Sequence, residues 1–283
     1  LAEMTNFNRG WPDLTDAVAE RVAARLGDDP AANVAVIRAA LVETIREIPA
    51  HGENGVLRKS LTALAVDADI VLDLHCDLEA VVHLYLGTPL WPAAHDLAAD
   101  IGARAVLLAE VSGGNPFDEA FAQPWWYLAR RFPDRPIPPA CLAATVEYRG
   151  VADVDETMAE ADARALLRFL ARRGVVQGDP GPLPALMAAA TPLEGVAMIR
   201  TPAGGLLSWR VEPRAKVEAG ELLAVLVDPL AADPAARRRE IRSPVGGVLF
   251  ARALARLARA GDIVAKVAGP EPLPDRKGRL LGD

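Results

Sequence analysis

The chain has 283 residues, 51% of them apolar and 24% charged, with a formal net charge of −7. This is globular composition, long enough for one or two domains with a sizeable core. The acidic balance leaves no general nucleic-acid footprint, and no apolar run is long enough to span a bilayer. Two cysteines, Cys76 and Cys141, make no disulfide framework in a chain this long. With no signal-peptide pattern, a reducing, cytoplasmic setting is expected.

The sequence begins at Leu1 without a methionine, and Leu1 to Arg9 already read as the interior of a domain. An N-terminal part of the natural protein is therefore expected to be missing from it. Helical periodicity covers Asp16–Leu26 and Ala31–Glu47, and Ser60–Val66 is a shorter helix. His51-Gly-Glu53-Asn54 reads as a loop between helices. Ile70, Val71, Leu72 and Leu74 then form a buried parallel strand ending on Asp73-Leu-His75-Cys76-Asp77. Ligands of open α/β sheets bind beyond the carboxyl ends of the strands, which is where His75 sits. A neutral imidazole is a common metal ligand, and a nearby carboxylate fixes its tautomer. A strand-end histidine that only caps a loop is the alternative. Cys76 should point to the opposite sheet face, making it a poor partner for the same metal.

Val81-Val-His83-Leu-Tyr85 continues as a second strand. His83 could line a pocket, but packing in the core is the plainer reading. Trp91–Gly102 is helical, with His95 on its surface, and Ala105–Ala109 is the next strand. Ser112-Gly113-Gly114-Asn115-Pro116-Phe117 is a loop after that strand, either shaping substrate access or simply turning. Its glycines lack the spacing of a phosphate-binding fingerprint. Trp125-Trp126-Tyr127 belongs to a helix packed on the core, or else covers a pocket or an interface. Leu142–Glu147 is a third strand, and Asp155–Arg173 a long helix stopped at Gly174. Strands spaced by helices predict a doubly wound or mixed α/β sheet.

Gly178–Pro192, rich in Pro, Gly and Ala, reads as a linker. Beyond it lie short strands with glycine turns and an internal repeat. Ile199-Arg-Thr-Pro202-Ala-Gly204-Gly205-Leu-Leu207 matches Ile241-Arg-Ser-Pro244-Val-Gly246-Gly247-Val-Leu249, and Ala219–Ala224 matches Ala260–Ala265. A two-fold repeat of this kind predicts a small pseudo-symmetric β-barrel or sandwich. It resembles the biotinyl/lipoyl-type hammerhead, but Val227–Glu240 between the halves carries no lysine. A structural or oligomerisation module is expected, and a homo-oligomer with it. The Arg-rich stretches 237–239 and 252–259 read as solvated faces. The expected division is 1–190, an α/β domain; 193–270, the β-rich domain; and 271–283, a tail.

Three patches of the first domain belong together: Asn6-Phe-Asn8-Arg9-Gly-Trp-Pro12, Asp73-Leu-His75, and Ala144-Thr-Val-Glu147-Tyr-Arg149-Gly150. Their order and context resemble the succinylglutamate desuccinylase/aspartoacylase family, over nearly the whole chain. The resemblance implies a zinc carboxypeptidase-like fold, a mixed sheet with helices on both faces, followed by the β domain. It implies one zinc per chain, with His75 as one ligand and two more from a His-x-x-Glu motif. That motif is absent here and is expected upstream of Leu1. Asn8 and Arg9 would hold the substrate carboxylate, and Glu147 would be the general base. Arg149 is assigned to the substrate end from its position alone.

The chemistry of these residue types agrees. Zinc with three protein ligands keeps a position open for water and lowers its pKa to about 7. A carboxylate in reach takes that proton and passes it on, and an arginine fork matches a carboxylate. Glu147 could instead pair with Arg149, Arg9 could make a surface ion pair, and Asn8 could be a turn residue. The expected function is a zinc-dependent amidohydrolase that removes an acyl group from an N-acyl amino acid, with no nucleic-acid or membrane partner. The alternatives are a catalytically silent binding or scaffold homologue and a zinc carboxypeptidase acting on peptides.

Overall fold

A computed structural model describes residues 6–281. Leu1–Thr5 and the ligands expected upstream of Leu1 lie outside the described residues. The chain opens with α1 (Thr15–Val22), α2 (Pro30–Glu47) and α3 (Gly52–Ala65). Asp29 caps α2 by accepting from the amides of Ala31 and Ala32 at 2.8 and 3.3 Å, with Pro30 in the first turn. Ile37, Ala40, Leu41 and Ile45 form its buried stripe. The loop expected at His51–Asn54 is a helix start instead: Gly52, at φ +66°, turns the chain directly into α3.

Next come β1 (Ile70–Asp77), β2 (Glu79–Ala80), β3 (His83–Gly87), α4 (Trp91–Asp100), β4 (Ala105–Ala109), α5 (Phe117–Arg131), β5 (Leu142–Gly150), α6 (Glu156–Arg172) and β6 (Ala190–Pro192). Five strands form one mixed sheet in the order β1-β5-β3-β4-β6. β5 runs parallel to β1 and antiparallel to β3, so the carboxyl end of β1 and that of β5 lie side by side. Asp100, at the end of α4, is 3% exposed and is held by Arg172 of α6 at 3.0 Å. The Trp cluster resolves as core packing, with Trp125 and Trp126 of α5 both buried.

The β-rich part contains β7 (Val196–Arg200), β8 (Gly205–Trp209), β9 (Lys216–Val217), β10 (Leu222–Val227), β11 (Arg238–Arg242), β12 (Gly247–Arg252), β13 (Leu257–Ala258) and β14 (Ile263–Ala268). One sheet runs β11-β10-β8-β13, the other β2-β12-β14-β7 with β9 also on β12. Shifting by the repeat turns β7, β8, β9 and β10 into β11, β12, β13 and β14, so the two sheets exchange under it. Their inner faces share a core of Leu207, Leu223, Leu226, Leu249, Val264 and Val267.

Two features correct the expected layout. β2, from the first 190 residues, is a strand of a C-terminal sheet, pairing Ala80 with Ala251 and Glu79 with Arg252. The face of β4 bearing Ala105, Leu107 and Ala109 packs against Phe250 and Ala251 rather than against a helix. Alternation along the strand sends Val106 to the helical side, where it joins the larger core. Among the described residues no helix is long and apolar enough to cross a membrane.

Candidate active site

The paired ends of β1 and β5 form the floor of a cavity of about 360 Å³, lined among others by Asn8, Arg9, His75, Glu147 and Lys266. His75 and Glu147 are register partners across the two strands. A larger groove of about 1100 Å³ runs between residues 186–191 and the β-rich part, but none of the candidate residues lines it. The smaller cavity carries the titratable groups, and chemistry follows those groups rather than volume.

His75 Nε2 lies 2.8 Å from Asp73 Oδ2, which assigns the ring proton to Nε2 and leaves the lone pair on Nδ1. That hydrogen bond, outweighing burial, raises the pKa of His75. Asn8 sits at the same nitrogen, its Nδ2 3.3 Å away, while its Oδ1 accepts from the Phe117 amide at 2.8 Å. With the ring proton on Nε2 both of those nitrogens are donors, so Asn8 is bonded to the start of α5 and only neighbours His75. Asn6–Leu14 has no helix or strand of its own, and is held through Gly10 N–H to Gly114 O at 2.7 Å and Trp11 N–H to Asn115 O at 3.1 Å.

Glu147 stands on the same floor. Its Oε2 is buried without a hydrogen-bond partner. Burial first, then the Asp77 carboxylate, push its pKa up to about 7 against the pull of His75 and Lys266. Arg149 does not pair with it. Arg149 turns away at φ +60° and binds Asp162 of α6, which corrects its placement at the substrate end. Neither Arg149 nor Asp162 lines the cavity.

His83 is fully buried, with Nδ1 donating to Val81 O at 2.8 Å and its ring against Tyr85 and Phe250. It is a core residue. His95 stacks on Trp91 outside the cavity. Cys76 is exposed, as the alternation along β1 requires, and Cys141 is buried.

Several cavity residues carried no sequence signal. Lys266 of β14 reaches across from the β-rich part to Asp77 Oδ2 at 2.6 Å. Nothing local marks it, because the contact spans the chain. Asp118 and Glu119 open α5 and are each 5% exposed. Burial pushes Asp118 up to about 7, against a hydrogen bond with Thr145. Their place just after the 112–117 loop was the one available hint.

No family model matches this chain, and no curated protein does. Solved structures do. A succinylglutamate desuccinylase/aspartoacylase family protein from Shewanella amazonensis superposes with a TM-score of 0.82 at 25% identity, covering 93% of this chain and 73% of its own. A succinylglutamate desuccinylase/aspartoacylase from Shewanella frigidimarina gives 0.81 at 24%, covering 94% and 72%. The ectoine utilization protein EutE (DoeB) from Ruegeria pomeroyi gives 0.58 at 18%, covering 78% and 67%, a likeness of fold. The structural neighbours are thus proteins of the family that the sequence resembles, over most of the chain.

Proposed function

We propose that this chain belongs to a zinc-dependent hydrolase that removes the acyl group from an N-acyl amino acid. The observation that carries the reading is Glu147: a half-buried carboxylate whose Oε2 is buried without a hydrogen-bond partner, raised to about 7, beside His75 on the floor of a cavity that Arg9 lines. A group with that pKa accepts a proton at neutral pH and gives it back, as amide hydrolysis requires.

His75 fits one position of a zinc site: as a neutral ring donating Nε2–H to Asp73, it would offer Nδ1 to the metal. Among the described residues no group of three or more His, Cys, Asp or Glu could hold a metal ion. The remaining ligands belong to the expectation of a His-x-x-Glu upstream of Leu1. When bound, zinc would polarise the scissile carbonyl and acidify a water.

The chain's own residues do the rest. Arg9 offers its planar fork to the substrate carboxylate. Asn8, whose Oδ1 accepts from the Phe117 amide, holds the segment that carries Arg9 against the start of α5. Glu147 takes the proton of the attacking water at Oε2 and returns it to the leaving amine.

The test is Glu147→Gln in the full-length protein, with metal content measured alongside His75→Ala. Turnover should vanish in the first variant with metal retained, and metal should be lost in the second. Normal turnover by Glu147→Gln would sink the reading. A full-length protein that binds no zinc would point to a silent binding homologue instead.

A further inference from the structure

The segment carrying Asn8 and Arg9 takes its shape from the loop at 112–117. Gly114 and Asn115 accept from the amides of Gly10 and Trp11, and Asn115 Nδ2 donates to Trp11 O at 2.6 Å. From its other side the same loop is gripped by the C-terminal tail. Leu280 N–H donates to Ser112 O at 2.7 Å. The Leu280 side chain, 2% exposed, packs with Leu107 and Leu193 beneath the cavity. Arg276 closes the tail on itself, donating to Leu280 O at 2.5 Å.

The contact is close at the backbone. A Cβ on Gly113, at φ +88°, would stand 2.9 Å from Arg279 Cα, so the tail and the loop lie main chain to main chain. Next along the loop, a Cβ on Gly114 would lie 2.8 Å from Arg9 Cδ. Three segments distant in sequence thus form one stack: tail, loop, Arg9. Leu281 continues from the anchor into the lining of the cavity.

We propose that the C-terminal tail is a positioning strap: Leu280, docked on the 112–115 loop, fixes where Asn8 and Arg9 meet the substrate carboxylate. The identity of the ligand rests on the deacylase reading above; the stack of contacts does not. Leu280 touches no reacting atom and acts through the loop. Without it, the loop loses its outer support and the Arg9 segment, having no secondary structure of its own, samples other positions.

The experiment compares Leu280→Ala, Leu280→Ile and Gly113→Ala in the full-length protein. Three quantities are read: KM and kcat on an N-acyl amino acid, amide hydrogen exchange over residues 6–11, and Tm. Leu280→Ala should raise KM about fivefold or more with kcat within about twofold, a loss of uniform substrate binding. Exchange at Gly10 and Trp11 should quicken about tenfold as local opening becomes easier. Leu280→Ile should restore both, and Gly113→Ala, which pushes on the contact from the loop side, should reproduce them. A packing role alone would lower Tm and the active fraction while leaving KM and the 6–11 amides unchanged, and that result overturns the proposal. Should the wild-type protein cleave no N-acyl amino acid, the deacylase reading fails by itself. Exchange then decides the strap: faster in Leu280→Ala upholds it, unchanged overturns it.

Discussion

His83 gives a quantitative acid-stability prediction. Its imidazole is fully buried between Tyr85 and Phe250, and burial pushes its pKa down to about 4 from 6.5. Between those two values the unfolded chain binds a proton that the folded chain refuses, so protons favour unfolding. The effect is absent above pH 6.5, grows as pH falls, and is complete below about 4. At pH 5 it amounts to about 2 kcal/mol, from a shift worth about 1.4 kcal/mol per unit. The comparison variant is His83→Asn, whose side-chain amide keeps a donor for Val81 O and does not titrate. Urea unfolding of both proteins at pH 7.5 and pH 5 gives the double difference. Every other titrating group is common to the two, so the wild type should lose about 2 kcal/mol more than the variant. Equal losses would show that Asp77, whose Oδ2 is 4.0 Å from His83 Nε2, compensates the buried charge, and the desolvation argument would be refuted.

Three further outcomes are expected. Because a base works ionised and Glu147 is raised to about 7, kcat/KM should fall roughly tenfold per pH unit below that value and level off above it; a profile flat down to pH 5 would remove Glu147 as the base. Arg9→Lys replaces a fork with a point charge and should raise KM about tenfold at nearly constant kcat, in steady-state assays. Phe250→Ala removes a fully buried ring at the seam between the sheets and should cost about 3–5 kcal/mol. Because that cluster joins Ala105 and Leu107 to Ala251, a single unfolding transition should persist at lower denaturant.

The local pattern of the chain carried much of its architecture. A continuous apolar run located β4 and 3.6-residue apolar spacing located α2 nearly to the residue, since β4 is covered on both faces and α2 buries one stripe. The repeat between Ile199 and Ala265 announced the strand content of the C-terminal part, and in the structure each sheet takes strands from both halves, so the two sheets exchange under the repeat. Asn8, Arg9 and Glu147 were singled out through the family resemblance and His75 also as a strand-end histidine, and the fold gathers all four in one cavity.

Other features depended on contacts that no local window contains. Arg149 lies two residues from Glu147, yet a positive φ turns it onto Asp162, so proximity in sequence misplaced it. β2 is too short to carry a period and joins a C-terminal sheet only because Ala251 and Arg252 offer it an edge. Lys266, Leu281 and the buried Asp118 reach the cavity through packing between segments far apart in the chain. Sequence periodicity records which face of an element is apolar; which distant side chain meets that face, and what charge it brings, is set only when the elements pack.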